Sequence, residues 1–435
     1  MSAAVHLNQV ETEIEKGTMQ MDSILSEAYI CELCGNTVSK IVKYKGRHLC
    51  AECAERSDPK KYTKIWNKMT AGKYKNCVLH TPEEICTYAD RFVIGQQEAK
   101  AVLSVAVYNH RKRLFNSKLL SASPIRKSNV LLIGPTGCGK THLVHTIAKM
   151  MDVPFAAADA TSLTEAGYVG DDVENILLRL YESSGCDLEK TERGIIYIDE
   201  FDKIGMRGEN TSITRDVGGE GVQQALLRII EGTKSSVPLA GGRKHPYGEN
   251  IEIDTTNILF ICGGAFVGLE EIIQKRLGCS QKNMGFGACI EEQTVEKAKN
   301  HLHLVEPEDL IKFGMLPELI GRLPVITALD PLDEDMLTAI LTRPDDAICK
   351  EYQQIFRLDG CELEFQPEAI REIARIAIER KCGARGLRTI VERTLSPTMF
   401  FLPQIFNKAR VIVTPESVRG ETPPIIQKKQ KPKTA

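Results

Sequence analysis

Aromatic side chains are scarce in this chain, 6% of 435 residues with a single tryptophan. No uninterrupted run of about 18 apolar residues occurs, which excludes an obvious membrane-spanning helix. Neither sign of charge dominates: Lys+Arg 56 against Asp+Glu 58 leaves a formal net charge of -2, so no global positive field is available to hold nucleic acid or an anionic membrane. The amino terminus has neither a hydrophobic signal core nor the Arg-rich, acid-poor character of a transit peptide, and the expected address is the cytoplasm. What is present suits a globular protein. With 42% hydrophobic and 26% charged residues the chain can bury a sizeable core, and its length predicts two or three domains at roughly 150 residues each.

Of the 14 cysteines, ten are scattered through ordinary core or loop segments and read as reduced thiols. The other four form two pairs, Cys31-Glu-Leu-Cys34 and Cys50-Ala-Glu-Cys53, separated by fifteen residues. A double CxxC at this gap is a zinc signature, and four thiolates leave no position open for water. The spacing therefore predicts a closed structural Zn²⁺ site that replaces the core so short a segment cannot build. A redox dithiol is the competing reading; His48 fits a supporting place better than a ligand's.

Along the chain, residues 1–27 read as a flexible polar leader, 28–56 as the zinc-binding module and 57–82 as a lysine-rich linker. A nucleic-acid patch is the sharper reading of those lysines. From 83 to 330, short apolar runs such as Asn129-Val-Leu-Leu-Ile133 and Gly194-Ile-Ile-Tyr-Ile198 alternate with amphipathic helical patterns, the signature of a parallel α/β sheet flanked by helices. From 331 to 420 the pattern turns helical, as in Pro367–Ile378, and predicts a smaller, mainly helical domain. Residues 421–435 read as a disordered basic tail.

Gly134-Pro135-Thr136-Gly137-Cys138-Gly139-Lys140-Thr141 follows the first apolar run and opens a helical segment, the context a phosphate-binding P-loop requires. Its glycines let backbone N–H groups converge on phosphate oxygens at the positive end of a helix. Lys140 would reach the β and γ phosphates of ATP, and Thr141 would ligate Mg²⁺. Downstream, Ile195-Ile-Tyr-Ile-Asp199-Glu200 puts Asp199 at the carboxyl end of a buried strand, where it can hold the metal through its water shell. The adjacent Glu200 can act as general base on the attacking water. Cys138 reads as a small tolerated residue, or else as a thiol made reactive by the helix amino terminus.

Longer strings carry a closer likeness. Phe92-Val-Ile-Gly-Gln96, Gly167-Tyr168-Val169-Gly170, Asp199-Glu-Phe-Asp-Lys-Ile204, Arg215-Asp-Val-Gly-Gly-Glu-Gly-Val-Gln-Gln224, Gly242-Arg-Lys-His-Pro246, Leu259–Phe266, Pro317-Glu-Leu-Ile-Gly-Arg-Leu-Pro324 and Gly383-Ala-Arg-Gly-Leu-Arg388 together resemble the ClpX family of AAA+ unfoldases, over about residues 28–415. The resemblance implies a P-loop AAA+ large domain with a small helical domain. It also implies a homo-hexameric ring that unfolds proteins bearing degradation tags, with adaptor proteins, and threads them through an axial pore into the ClpP peptidase, without protease chemistry of its own.

Residue by residue, the same resemblance implies that Val93 and Ile94 line an adenine pocket. Arg322 matches the arginine finger that reaches a neighbouring subunit's γ-phosphate, and Arg385 the small-domain arginine that touches nucleotide in its own subunit. Tyr168 and Val169 match the first pore loop, the segment at Arg215 the second, and Arg243, Lys244 and His245 the entrance loop. Met284-Gly285-Phe286 lies where the family carries its peptidase-docking tripeptide, with Met in place of the commoner Ile. Three competitors follow from the same residues: an HslU-like unfoldase, which lacks a zinc module; a nucleic-acid-remodelling AAA+ motor; and an ATP-regulated scaffold.

Overall fold

The computed structural model describes residues 80–116, 126–164, 171–205, 219–238, 250–277, 301–401 and 409–428, preceded by four short strands. Those strands form two antiparallel pairs, Tyr29–Ile30 with Thr37–Val38 and Val42–Tyr44 with Arg47–Leu49.

Residues His80–Leu114 and Arg126 onward build a separate unit. Helix α1 (Pro82–Asp90) starts sharply: Thr81 accepts from the Glu84 N–H, Glu84 answers on the Thr81 N–H, and Pro82 supplies a preset φ. Its buried face is Ile85 and Ala89. Helix α2 (Gln97–Asn116) leads towards strand β1 (Val130–Ile133), and α3 (Lys140–Met151) follows β1 directly. Then come β2 (Phe155–Asp159), β3 (Ile195–Asp199), α4 (Glu220–Glu231), β4 (Leu259–Gly264) and β5 (Val325–Ala328).

These five strands form one sheet in the order β5-β1-β4-β3-β2, every pairing parallel. A parallel sheet is covered on both faces, which explains why β1 and β3 read as unbroken apolar runs. The pleat still divides them. Leu131, Ile133, Ile196, Ile198, Phe260 and Cys262 enter one core, whereas Val130, Leu132, Ile195, Tyr197, Leu259 and Ile261 enter the other, beneath α1, α2 and α3.

After β5 the chain forms α5 (Glu334–Thr342), α6 (Ile348–Leu358), β6 (Glu362–Phe365), α7 (Pro367–Glu379), α8 (Gly383–Phe401), β7 (Ala409–Val413) and β8 (Ile425–Lys428). The α7 residues Ala369, Ile373, Ala374 and Ala377 are buried at the helical spacing read from the sequence. This part has its own core. It also carries a small sheet that the helical pattern did not announce, β6-β7-β8, with β7 parallel to β6 and antiparallel to β8.

Strand β8 corrects the expected disordered tail in its first part, 421–428; residues 429–435 lie outside the described residues. Residues 425–428 pair with Ala409–Ile412, and Ile425 and Ile426 remain substantially exposed. Backbone pairing, rather than side-chain burial, accounts for this edge strand. Among the described residues no helix is long and apolar enough to cross a membrane.

Candidate active site

The carboxyl ends of β1, β3 and β4 converge, and the candidate residues hang from them. Register explains how: Gly264 lies opposite Ile133 and Cys262 opposite Ile198, so the three strands finish together. Where β1 ends, the Gly134 N–H donates to the Gly264 carbonyl at 3.1 Å. The loop then turns through Gly137 (φ 81°) and Gly139 (φ 99°), left-handed positions that favour glycine.

Gly139 is the N-cap of α3 and supplies no side-chain acceptor. The first N–H groups of that helix are therefore left for a ligand, at the positive end of its dipole. Lys140 is only 8% exposed, and its Nζ donates to the carbonyls of Gly134 (2.6 Å) and Pro135 (3.0 Å). Two neutral carbonyls do not cancel a buried ammonium charge. An anion in the loop would, so these residues fit a nucleotide polyphosphate.

The Thr141 hydroxyl donates to Asp199 Oδ2 at 2.9 Å, joining the first turn of α3 to the end of β3. Asp199 Oδ1 accepts from the Glu200 N–H at 3.0 Å and from the Tyr197 hydroxyl at 3.2 Å. A hydroxyl and a carboxylate side by side are the hard oxygen donors that suit Mg²⁺. Glu200 takes a left-handed φ of 52°, uncommon for a residue with a Cβ and typical of strain held at working sites. Both carboxylates are partly solvated rather than fully buried.

Arg385, on the first turn of α8, brings NH2 to 3.8 Å from Asp199 Oδ2, so the helical part reaches the same carboxylate. Its side chain is 65% exposed, leaving it open to a further partner. Arg322 is placed differently: it pairs with Glu231 at the end of α4, Nε at 3.0 Å and NH2 at 2.7 Å, with 52% of its side chain exposed. Val93 is buried under the sheet and Ile94 is half-buried, next to left-handed Gly95 and Gln96.

Burial pushes the Cys138 thiol up, against an opposing pull from Lys140. Desolvation therefore works against the thiolate that the reactive reading of Cys138 needs, and Lys140 works for it. Cys31, Cys34, Cys50, Cys53, Tyr168, Val169, Arg215, Arg243, Lys244, His245, Met284, Gly285 and Phe286 lie outside the described residues.

Some residues escaped the sequence reading. The Tyr197 side chain reads as core, yet its hydroxyl reaches Asp199 because Gly263, two residues beyond its register partner Ile261 on β4, has no side chain: a Cβ there would stand 2.2 Å from the hydroxyl oxygen. Burial and the Asp199 charge push the hydroxyl's pKa up, which keeps it a donor. Gln96 clamps the Asp330 backbone through both amide atoms at 2.8 Å, and the Asn129 amide bridges the Phe260 N–H and the Arg322 carbonyl. Tyr197→Phe is expected to weaken the apparent Mg²⁺ dependence of turnover by about 10-fold, the lower end for loss of a partner that orients a metal ligand. An unchanged Mg²⁺ titration would show that the hydroxyl does not orient Asp199.

A loop that cradles polyphosphate, a strand-end carboxylate for its metal and an arginine from a following helical part define an AAA+ P-loop ATPase. The family model of the AAA domain (Cdc48 subfamily) matches residues 125–326, and that of the C-terminal, D2-small domain of ClpB protein matches 332–404. The ATP-dependent Clp protease ATP-binding subunit ClpX of Treponema denticola is 49% identical over 395 residues, covering 90% of this chain and 94% of that protein. Proteins of the same name from Borrelia duttonii and Borrelia recurrentis are each 49% identical over 401 residues, 89% of this chain and 90% of theirs. The chain belongs to the ClpX family, and it is an ATPase and an ATP-dependent Clp unfoldase.

Proposed function

We propose that this chain works as a homo-hexameric ring in the cytoplasm, drawing proteins with degradation tags, alone or through adaptors, into an axial pore and handing them to a ClpP-type peptidase. The observation that carries the reading is the convergence of Thr141, from the phosphate loop, and Arg385, from the helical part, on the one carboxylate of Asp199. A site built from two separately packed parts changes its fit when the parts rotate, and this links nucleotide state to movement.

In this reading Lys140 holds the β and γ phosphates of ATP, with the backbone of Gly134, Pro135, Thr136, Gly137, Cys138 and Gly139 around them. Mg²⁺, when bound, supplies a Lewis acid that offsets phosphate charge, held by Thr141 and, through water, by Asp199. Glu200 takes the proton of the attacking water. Val93 and Ile94 hold the adenine, Arg385 senses nucleotide in its own subunit, and Arg322 exchanges Glu231 for the γ-phosphate of the next. Tyr168 and Val169, with Arg215, grip the substrate; Arg243, Lys244 and His245 receive its free carboxylate end. Met284, Gly285 and Phe286 dock the peptidase. Cys31, Cys34, Cys50 and Cys53 hold Zn²⁺ in a module that takes up substrates and adaptors.

Two measurements test this. The purified chain should carry one tightly bound zinc, lost when Cys31 and Cys34 are both replaced by serine. Its ATPase should rise with an unfolded protein and not with DNA. Stimulation by DNA that falls steeply with salt would instead support a nucleic-acid motor.

A further inference from the structure

The phosphate loop and the helical part also touch through backbone alone. The Ala384 N–H, in the first turn of α8, donates to the Gly137 carbonyl of the loop at 3.2 Å. Both flanking positions are glycines in left-handed conformations, Gly137 at φ 81° and Gly383 at φ 55°. A side chain at either would press on the other segment's backbone. A Cβ on Gly137 would lie 3.0 Å from the Cys382 carbonyl and 3.2 Å from the Gly383 Cα; one on Gly383 would lie 3.2 Å from both the Cα and the carbonyl oxygen of Gly137.

The P-loop pattern demands glycine at 134 and 139 and lysine at 140, and leaves 137 free. The Gly137 conformation and its close approach to α8 therefore account for a glycine that the pattern does not. On the other side, an N–H in the first turn of a helix has no acceptor within its own helix. The Gly137 carbonyl gives the Ala384 donor one.

 The loop carbonyl thus satisfies a helix-end donor from a segment some 247 positions away (384 minus 137).

We propose that Gly137, Gly383 and Ala384 form a backbone clasp that registers α8 on the phosphate loop and so positions Arg385 over Asp199. Gly383 and Ala384 are positioning residues, acting on the nucleotide through Arg385, whereas Gly137 belongs to the loop that surrounds the phosphates and lends the clasp its carbonyl. This rests on the reading of Arg385 given above and goes beyond it, because the clasp exists without any side chain that binds nucleotide. Rotation of the helical part must stretch the Ala384 to Gly137 bond or drag the loop carbonyl with it. Movement is thereby transmitted to the loop that holds the phosphates, in addition to whatever Arg385 transmits. Arg385 is one residue beyond Ala384, so a small change in the helix start displaces its guanidinium directly.

The test uses the full-length chain in steady-state ATPase assays, with melting temperature as the folding control. Ala384→Pro removes the donor at a place in the helix where proline is tolerated. It is expected to lower kcat by about threefold to tenfold, as loss of one hydrogen bond implies. Gly383→Ala, which keeps the donor but crowds the close approach and strains a left-handed φ of 55°, is expected to lower kcat at least as much, and covers the case in which the proline variant does not fold. The discriminating readout is the combination with Arg385→Ala: if the clasp acts by positioning Arg385, adding either clasp variant to Arg385→Ala lowers kcat no further.

Losses that multiply instead would mean a merely structural role and overturn the proposal, as would wild-type kcat in both clasp variants. If Arg385→Ala alone turned over normally, the reading of Arg385 would fall, and the clasp would be decided by hydrogen exchange at the Ala384 amide. Slow exchange there without nucleotide supports the clasp, since the amide has no acceptor in its own helix; exchange at the rate of an open amide overturns it.

Discussion

Glu200→Gln is expected to bind ATP and Mg²⁺ normally and to hydrolyse ATP about 10² to 10⁴-fold more slowly, the usual contribution of a positioned general base. The substitution keeps the shape of the side chain and removes its basicity. The backbone at this position should hold, because the Glu200 N–H still donates to Asp199 Oδ1 in the variant. The proposed ring, loaded with unhydrolysed ATP, should accumulate. Turnover at the wild-type rate would show that another group activates the water.

Arg322→Ala carries the second large effect. In the single chain Arg322 is half exposed and paired with Glu231. Such exposed pairs contribute only about 0.2–1 kcal/mol, so the variant should fold and melt almost as the parent does. If Arg322 instead serves the γ-phosphate of the next subunit, turnover should fall by about 10³ to 10⁵-fold, the range for an arginine finger. Mixing with Lys140→Ala subunits separates the two roles: in the ring proposed above, mixed assemblies would contain interfaces with an intact Lys140 on one side and an intact Arg322 on the other, and should recover part of the activity. Glu231→Ala makes the complementary control. It breaks the same ion pair, and should leave most of the turnover.

The parts of the fold that were legible in the sequence are those whose signal is local. Val130–Ile133 and Ile195–Ile198 are apolar at every position because both faces of a parallel sheet are covered, and the glycine spacing of the phosphate loop is set by how backbone must approach phosphate. What escaped depends on contacts between distant segments. Tyr197 looks like core in the run Ile195–Ile198, and only the register against β4, which puts Gly263 next to it, reveals that the hydroxyl reaches Asp199.

The same holds for Gln96, which binds a backbone 234 positions away, and for Ala384 on Gly137. Strand β8 was missed for a different reason: its neighbours are lysine-rich, its isoleucines are largely exposed, and its pairing is made by main-chain groups that every sequence carries. Cys138 shows two opposed effects in one place. The helix end and Lys140 favour a thiolate, burial disfavours it, and the sequence alone does not rank them.

The most direct measurement is the loss of fluorescence of a stably folded, degradation-tagged fluorescent protein, followed with ATP and without it. Complete, ATP-dependent loss with the parent chain, absent in both Glu200→Gln and Tyr168→Ala, is the expected result. Full ATPase activity in the parent with no unfolding of the tagged reporter would contradict the account, as would unfolding that proceeds undiminished in Tyr168→Ala.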